Sequence, residues 1–133
     1  MRLLLAYVLV IVACLGIGQA YAKQAGQENV VFDGINEYRV AHGLAPLAFD
    51  AYLADRADEQ AALPFSNSPD IFITYPDGQA CNLSAWGFNR AEKVVRALTS
   101  SPPHRAWIER ADLLEMAVGR RGDTWVVFLG WRS

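Results

Sequence analysis

Cys81 and His104 are the two side chains of this sequence that could act together as a nucleophile and its base. An imidazole that accepts the thiol proton activates a cysteine, as it does in small cysteine hydrolases. No characteristic hydrolase signature flanks Cys81, so the more ordinary interpretation is a small buried apolar residue. The hydrolase hypothesis predicts that iodoacetamide alkylates Cys81 faster than it alkylates a small-molecule thiol.

His104 follows a Ser-Pro-Pro segment, and proline is tolerated in the first turn of a helix. We therefore place His104 in a first turn, where the positive end of the helix disfavours a protonated ring. A neutral imidazole can serve as a ligand or as a base. The alternative is a histidine that hydrogen-bonds a loop to a sheet. His42 directly precedes Gly43, at the end of a predicted helix, where we expect a structural role.

The charge and the motifs of the sequence exclude several classes of function. The chain has 12 Lys and Arg against 14 Asp and Glu, for a net charge of −2, so no basic excess favours nucleic acid. There is no phosphate-binding glycine loop and no His-Glu-x-x-His helix. We therefore predict no cofactor, no metal and no nucleic-acid partner.

Residues 1–22 predict an export signal that is removed after Ala22. A short positive start precedes the apolar residues 3–18, which are fewer than the roughly 20 needed to span a bilayer. Two alternatives remain open, an uncleaved anchor and a lipobox ending at Cys14. The mature chain, 23–133, is then a single exported domain without a transmembrane segment, periplasmic or secreted, or a membrane-anchored lipoprotein. Cleavage would leave Cys81 as its single cysteine, which excludes an internal disulfide.

Hydrophobic spacing predicts the elements that must position these residues. One apolar stripe indicates a helix over 28–42, and a second helix, capped by Asp50, buries Leu53, Ala57 and Ala61. Residues 64–82 predict a loop with a short strand at 71–75. A helix then runs through Leu98.

The pair Asn89 and Glu92 has the spacing of a capping box at the start of that helix. Near the C-terminus, 114–119 and 124–131 are strand-like and predict a hairpin joined by 120–123. Several helices followed by a terminal hairpin indicate an α+β layered fold.

Six short motifs follow one another along 31–130. They are Ile-Asn-Glu-Tyr-Arg at 35–39, His-Gly-Leu-Ala-Pro-Leu at 42–47, Phe-Asp at 49–50, Phe-Ser-Asn at 65–67, Ser-Pro-Pro-His-Arg at 101–105, and the strand pair 117–119 and 125–130. Their types and order resemble bacterial CAP domains, the superfamily of cysteine-rich secretory, antigen 5 and pathogenesis-related proteins. The resemblance implies a three-layer α-β-α sandwich with a small sheet, in an exported protein.

The resemblance also implies a cleft, which in the family is lined by histidines and acidic residues that can hold a divalent metal. His104 matches one of these histidines, while Asn67 stands where another belongs. Aligning Asn82 with the family's Gly-Glu-Asn motif places Cys81 at the glutamate. A degenerate cleft formed by His104, Asn67, Cys81, Asn82 and Arg105 is therefore expected. A tight metal site is not expected there, because a zinc site needs three or four donors and Cys81 and His104 supply two.

These expectations favour an exported, non-enzymatic domain that binds a lipid, a cell-envelope component or a protein partner. The first alternative is a weak hydrolase that uses His104 with Cys81 as nucleophile, and the second is a purely structural envelope protein. A binding domain predicts an apolar pocket beside His104. A hydrolase predicts the Cys81 sulfur within hydrogen-bond reach of the His104 ring, and a structural protein predicts neither.

Overall fold

The computed structural model describes residues 26–64 and 71–133. The predicted signal 1–22, Cys14 and Asn67 lie outside the described residues. The described chain forms four helices and five strands: α1 (Gly26–Ala41), β1 (Ala48–Phe49), α2 (Ala51–Ala61), β2 (Phe72–Tyr75), β3 (Gly78–Ala85), α3 (Ala91–Ser100), α4 (Pro102–Ile108), β4 (Leu113–Arg121) and β5 (Thr124–Trp131). Within these ranges no helix is both long enough and apolar enough to cross a bilayer.

The five strands form one sheet in the order β1-β4-β5-β3-β2. All neighbouring pairs are antiparallel except β1 with β4, which is parallel. The predicted hairpin is confirmed as β4 and β5, which Gly122 and Asp123 connect. Gly122 has a φ of +61°, which suits the first position of a type II′ turn.

Side chains alternate between the two faces of the sheet, and each face packs against helices. On β5, Trp125, Val127 and Leu129 face a core shared with α1, α3 and α4, while Val126 and Phe128 face a second core shared with α2. This alternation follows from the two-residue period of a strand. The chain is therefore an α+β protein with three layers, α-β-α, as predicted.

The helix α2 forms as its sequence predicts. Asp50 is its N-cap, and its carboxylate accepts a hydrogen bond of 2.9 Å from the backbone nitrogen of Leu53. Leu53, Ala57 and Ala61 are buried along one stripe. A local cap and a local periodicity thus suffice to place this helix.

Two local predictions were wrong. Residues 78–82 belong to the strand β3, not to a loop, because that strand is held between β5 and β2 rather than by its own composition of small and polar residues. The predicted capping box at Asn89 is also wrong, since the N-cap of α3 is Arg90 and no side chain makes the capping hydrogen bond. Packing of Val94 and Leu98 in the core accounts for the helix.

Candidate functional site

A cavity of about 130 Å³ lies between the start of α4 and the β2–β3 edge of the sheet. We call it the His104 cavity. Apolar side chains predominate among its lining residues, which are Ile71, Phe72, Cys81, Asn82, Leu83, Pro103, His104 and Trp107. The cavity therefore brings together three of the five residues expected at the cleft.

His104 is the third residue of α4 and is partly exposed. The Ser-Pro-Pro segment starts α4, as predicted, and also ends α3, with Ser101 between the two helices. The ring is thus held at a helix start beside the sheet, where a molecule in the cavity can reach it.

Cys81 is 3% exposed, and its side chain belongs to the core beneath α1, α3 and α4. It lies on β3, where it pairs with Phe72 of β2 and with Leu129 of β5. It is the single cysteine among the described residues. A catalytic thiol has to be accessible, so this burial favours the interpretation of Cys81 as a core residue.

Asn82 has a structural role at this site. Its Oδ1 accepts a hydrogen bond of 2.5 Å from the backbone nitrogen of Ile71, and its own backbone nitrogen donates to the Ile71 carbonyl at 3.1 Å. The side chain is 1% exposed. Asn82 therefore fixes the chain entering β2 to β3, and so sets one wall of the cavity.

Aromatic rings extend this wall towards the solvent. The ring centroid of Trp107 lies 5.6 Å from those of both Phe72 and Trp131, and the guanidinium of Arg110 lies 4.5 Å from each tryptophan ring. Arg110 also makes two hydrogen bonds to Asp112, which hold the pKa of that carboxyl below its usual range. The stack gives the cavity a rigid apolar rim.

Sequence reasoning did not single out Phe72 or Trp107 as site residues. Phe72 is 67% exposed on an edge strand, and nothing in the local pattern distinguishes it from a surface residue. Trp107 lines the cavity because α4 packs beside the β2–β3 edge of the sheet.

Of the two remaining residues expected at the cleft, only Arg105 is described. Arg105 is exposed on α4 and is not a lining residue of the His104 cavity. Asn67 lies outside the described residues. His42 has a structural environment, as predicted, because its ring stacks on Tyr38 with 4.0 Å between centroids and its Nδ1 lies 2.7 Å from the Tyr38 carbonyl oxygen.

Comparison with known proteins places this arrangement in a family. The family model described as CAP, cysteine-rich secretory protein family, matches residues 32–127. The chain belongs to the CAP family. A comparison with curated proteins gives no match.

Solved structures share the fold of this CAP domain. It is similar to a cysteine-rich secretory protein of Staphylococcus aureus, with 19% identity and a TM-score of 0.62 over 80% of this chain and 38% of that one. It is also similar to an extracellular protein containing an SCP domain from Bacillus anthracis, with 19% identity and a TM-score of 0.68 over 81% of this chain and 41% of that one. A third similar structure is an outer surface protein of Borrelia burgdorferi, with 20% identity and a TM-score of 0.66 over 80% of this chain and 93% of that one. The chain thus matches about two fifths of the first two proteins and nearly all of the third.

The described lining residues of the His104 cavity offer a metal few donors. Among the described lining residues, the donors with metal-binding chemistry are the His104 imidazole and the buried Cys81 thiol, and no carboxylate joins them. A stable zinc site requires at least one more donor.

Three carboxylates do meet on the other face of the sheet, where Asp50, Asp77 and Glu115 have oxygens within 4.8 Å of one another. Two of the three already have structural partners. Asp50 caps α2, while both oxygens of Glu115 accept hydrogen bonds from Arg132, at 2.9 and 2.5 Å, and one also accepts from the Tyr75 hydroxyl. This cluster ties the start of β4 to the end of β5 and is a structural element.

The Arg132 hydrogen bonds hold the pKa of Glu115 below its ordinary value of 4.5. A carboxyl whose pKa is lower in the folded state stabilises that state above the unfolded pKa, and its contribution disappears as pH falls through the folded pKa. Glu115→Gln is therefore expected to cost about 1–2 kcal/mol near neutral pH, since Arg132 is half-exposed and screened. In urea unfolding, the difference from the native sequence should shrink progressively below pH 4.5. An unchanged difference at pH 3 would contradict this account.

Proposed function

We propose that this CAP domain is an exported binding module that accepts one small apolar group of a lipid, cell-envelope or protein ligand in the His104 cavity. The observation that carries the proposal is the cavity itself, with an aromatic and aliphatic lining and one partly exposed imidazole. Binding sites commonly combine such a lining with a few polar groups that orient the ligand.

The volume of the cavity limits what can enter. An engineered protein cavity of about 150 Å³ binds benzene, so about 130 Å³ suits a single ring or a branched aliphatic group. A complete lipid or a disaccharide exceeds this space. We therefore expect the rest of the ligand to lie outside the cavity, against the aromatic rim formed by Phe72, Trp107 and Trp131.

The test is an NMR titration with two ring probes, toluene and p-cresol, which differ by one hydroxyl. Both should shift the Ile71 methyl and Trp107 indole resonances saturably. p-Cresol should bind about fivefold more tightly, because its hydroxyl can hydrogen-bond to the His104 ring. His104→Leu should abolish this preference and retain toluene binding.

The matched control is His42→Leu, the same substitution at a histidine that lies away from the cavity. It should leave both affinities unchanged. The proposal fails if neither probe shifts the two reporter residues, or if His42→Leu removes the preference for p-cresol as effectively as His104→Leu.

The alternative function, a thiol hydrolase, is supported by the position of Cys81 and His104 in the lining of the same cavity. Iodoacetamide separates the two functions. A binding module with a thiol that is 3% exposed should be alkylated more slowly than a small-molecule thiol, whereas a thiol hydrolase requires faster alkylation. Binding of neither probe together with slow alkylation would favour a structural envelope protein.

Export is part of the proposal and is supported by the apolar N-terminal pattern and by the extracellular and outer-surface neighbours. Mass spectrometry of the protein from its native envelope distinguishes cleavage after Ala22 from lipidation at Cys14 and from an uncleaved anchor. A mature chain that begins at Lys23 is the expected result. A full-length chain recovered from the cytoplasm would exclude export.

A further inference from the structure

A groove between α1 and α3 shares no lining residue with the His104 cavity. Its lining residues are Val30, Asp33, Gly34, Glu37, Glu92 and Val95. The four residues of α1 have the spacing i, i+3, i+4 and i+7, which places them on one side of the helix. The groove has a volume of about 360 Å³, near the lower end for pockets that hold small organic molecules.

Val30, Gly34 and Val95 form an apolar floor in the groove, and the two helices approach closely at Gly34. A Cβ at this position would lie only 2.7 Å from Cγ2 of Val95, so a larger residue would push the helices apart. Val30 and Val95 are half-buried on either side of this contact. The floor can therefore accept a short alkyl chain, which would cover apolar surface that is now partly exposed to solvent.

The rim of the groove is acidic. Asp33, Glu37 and Glu92 are all exposed there. Within the described ranges, no ion pair includes Asp33 or Glu37, and Glu92 lies 4.0 Å from the Nε of Arg90. Asn29 donates a hydrogen bond of 3.3 Å to Asp33. Negative charge thus surrounds an apolar floor.

The position of Asp33 on α1 also disfavours its negative charge. Partial burial and the nearby charge of Glu37 raise the pKa of Asp33 above its usual value. A cation placed between these groups would relieve the repulsion, whereas an anion would increase it.

We propose that this groove binds a small organic ammonium ion that carries an alkyl chain, as a free amine rather than as a membrane lipid or a peptide. The ammonium group lies among Asp33, Glu37 and Glu92, and the chain lies on Val30, Gly34 and Val95. The acidic rim selects the sign of the ligand charge, and the apolar floor selects a ligand that is not purely hydrophilic.

Three probes with the same chain separate these contributions: n-hexylammonium, hexanoate and hexanol. We expect n-hexylammonium to shift the backbone amide resonances of Gly34 and Val95 saturably, hexanol to bind more weakly, and hexanoate to bind weakest. Added salt should weaken the binding of the ammonium probe and leave that of hexanol unchanged.

Substitutions on the rim test the carboxylates one at a time. Asp33→Asn, Glu37→Gln and Glu92→Gln should each lower the affinity for n-hexylammonium about threefold. The control is Asp55→Asn, which removes one exposed carboxylate from α2 on the opposite face of the sheet and should have no effect. The proposal is wrong if hexanoate binds as tightly as n-hexylammonium, if no probe shifts these residues, or if Asp55→Asn weakens binding as much as the rim variants.

Discussion

Replacement of Arg39 by methionine is expected to lower the free energy of unfolding by at least about 3 kcal/mol. Arg39 is fully buried on α1, and its guanidinium donates to three backbone carbonyls. The Nε–Ala45 oxygen distance is 2.9 Å, and Nη1 lies 2.6 and 2.9 Å from the carbonyl oxygens of Ile108 and Arg110. Methionine fills similar space but donates nothing, so these carbonyls would lose hydrogen bonds inside the protein.

Arg39→Lys should be intermediate, because a single ammonium group cannot reach carbonyls on two separate segments with the fork geometry of a guanidinium. Burial lowers the pKa of Arg39, and a lysine in the same place would lose its proton more easily still.

Urea unfolding followed by circular dichroism measures these differences. The control is Arg96→Met, an exposed arginine on α3, for which a change within about 0.5 kcal/mol is expected. If Arg39→Met does not fold, Arg39→Lys still reports the effect. An Arg39→Met protein as stable as the Arg96→Met protein would contradict the assignment of Arg39 as the group that joins α1 to the segment after α4.

Replacement of Gly119 by alanine is expected to cost about 3 kcal/mol or more. Gly119 lies on β4, directly beneath α2. A Cβ at this position would lie 2.5 Å from both the Ala57 oxygen and the Asp58 nitrogen. These are backbone atoms of a helix, so no rotamer change can relieve the overlap and the helix would have to move away from the sheet.

Gly34→Ala provides the matched comparison. Its added Cβ would meet a side chain, that of Val95, and alanine is favoured over glycine in a helix by about 1 kcal/mol. The net loss should therefore be smaller than at Gly119, and Val95→Ala should restore most of it. Urea unfolding of the two single variants and the double variant tests both statements. Equal losses at the two glycines, or no rescue by Val95→Ala, would overturn the distinction between backbone and side-chain contacts.

Local signals in the sequence correctly predicted the elements whose structure depends on near neighbours. The stripe on α1, the Asp50 cap of α2 and the turn at Gly122 all involve residues within a few positions of one another. The strand β3 was missed for the opposite reason. Its small and polar residues become a strand only because β5 and β2 pair with both of its edges.

In the candidate site, too, the sequence predicted the locally determined part and missed the part that depends on tertiary contacts. The motif at 101–105 located His104 at a helix start, which the structure agrees with. Cys81 and Asn82 line a cavity with His104 because β3 pairs with β2, which local sequence does not specify. Phe72 and Trp107 line the same cavity through contacts between separate elements. The groove between α1 and α3 gave no sequence signal, since β1, α2, β2 and β3 separate the two helices along the chain.

The sequence by itself determined the family, the α+β class and the histidine at the start of α4, because motif order, hydrophobic period and helix caps are local properties of the chain. The tertiary structure decided which residues face one another. Arg39 reaches the Ile108 carbonyl 69 residues further along the chain, and α1 meets α3 at a glycine. Such contacts depend on the packing of the three layers, and no short segment of the chain carries that information.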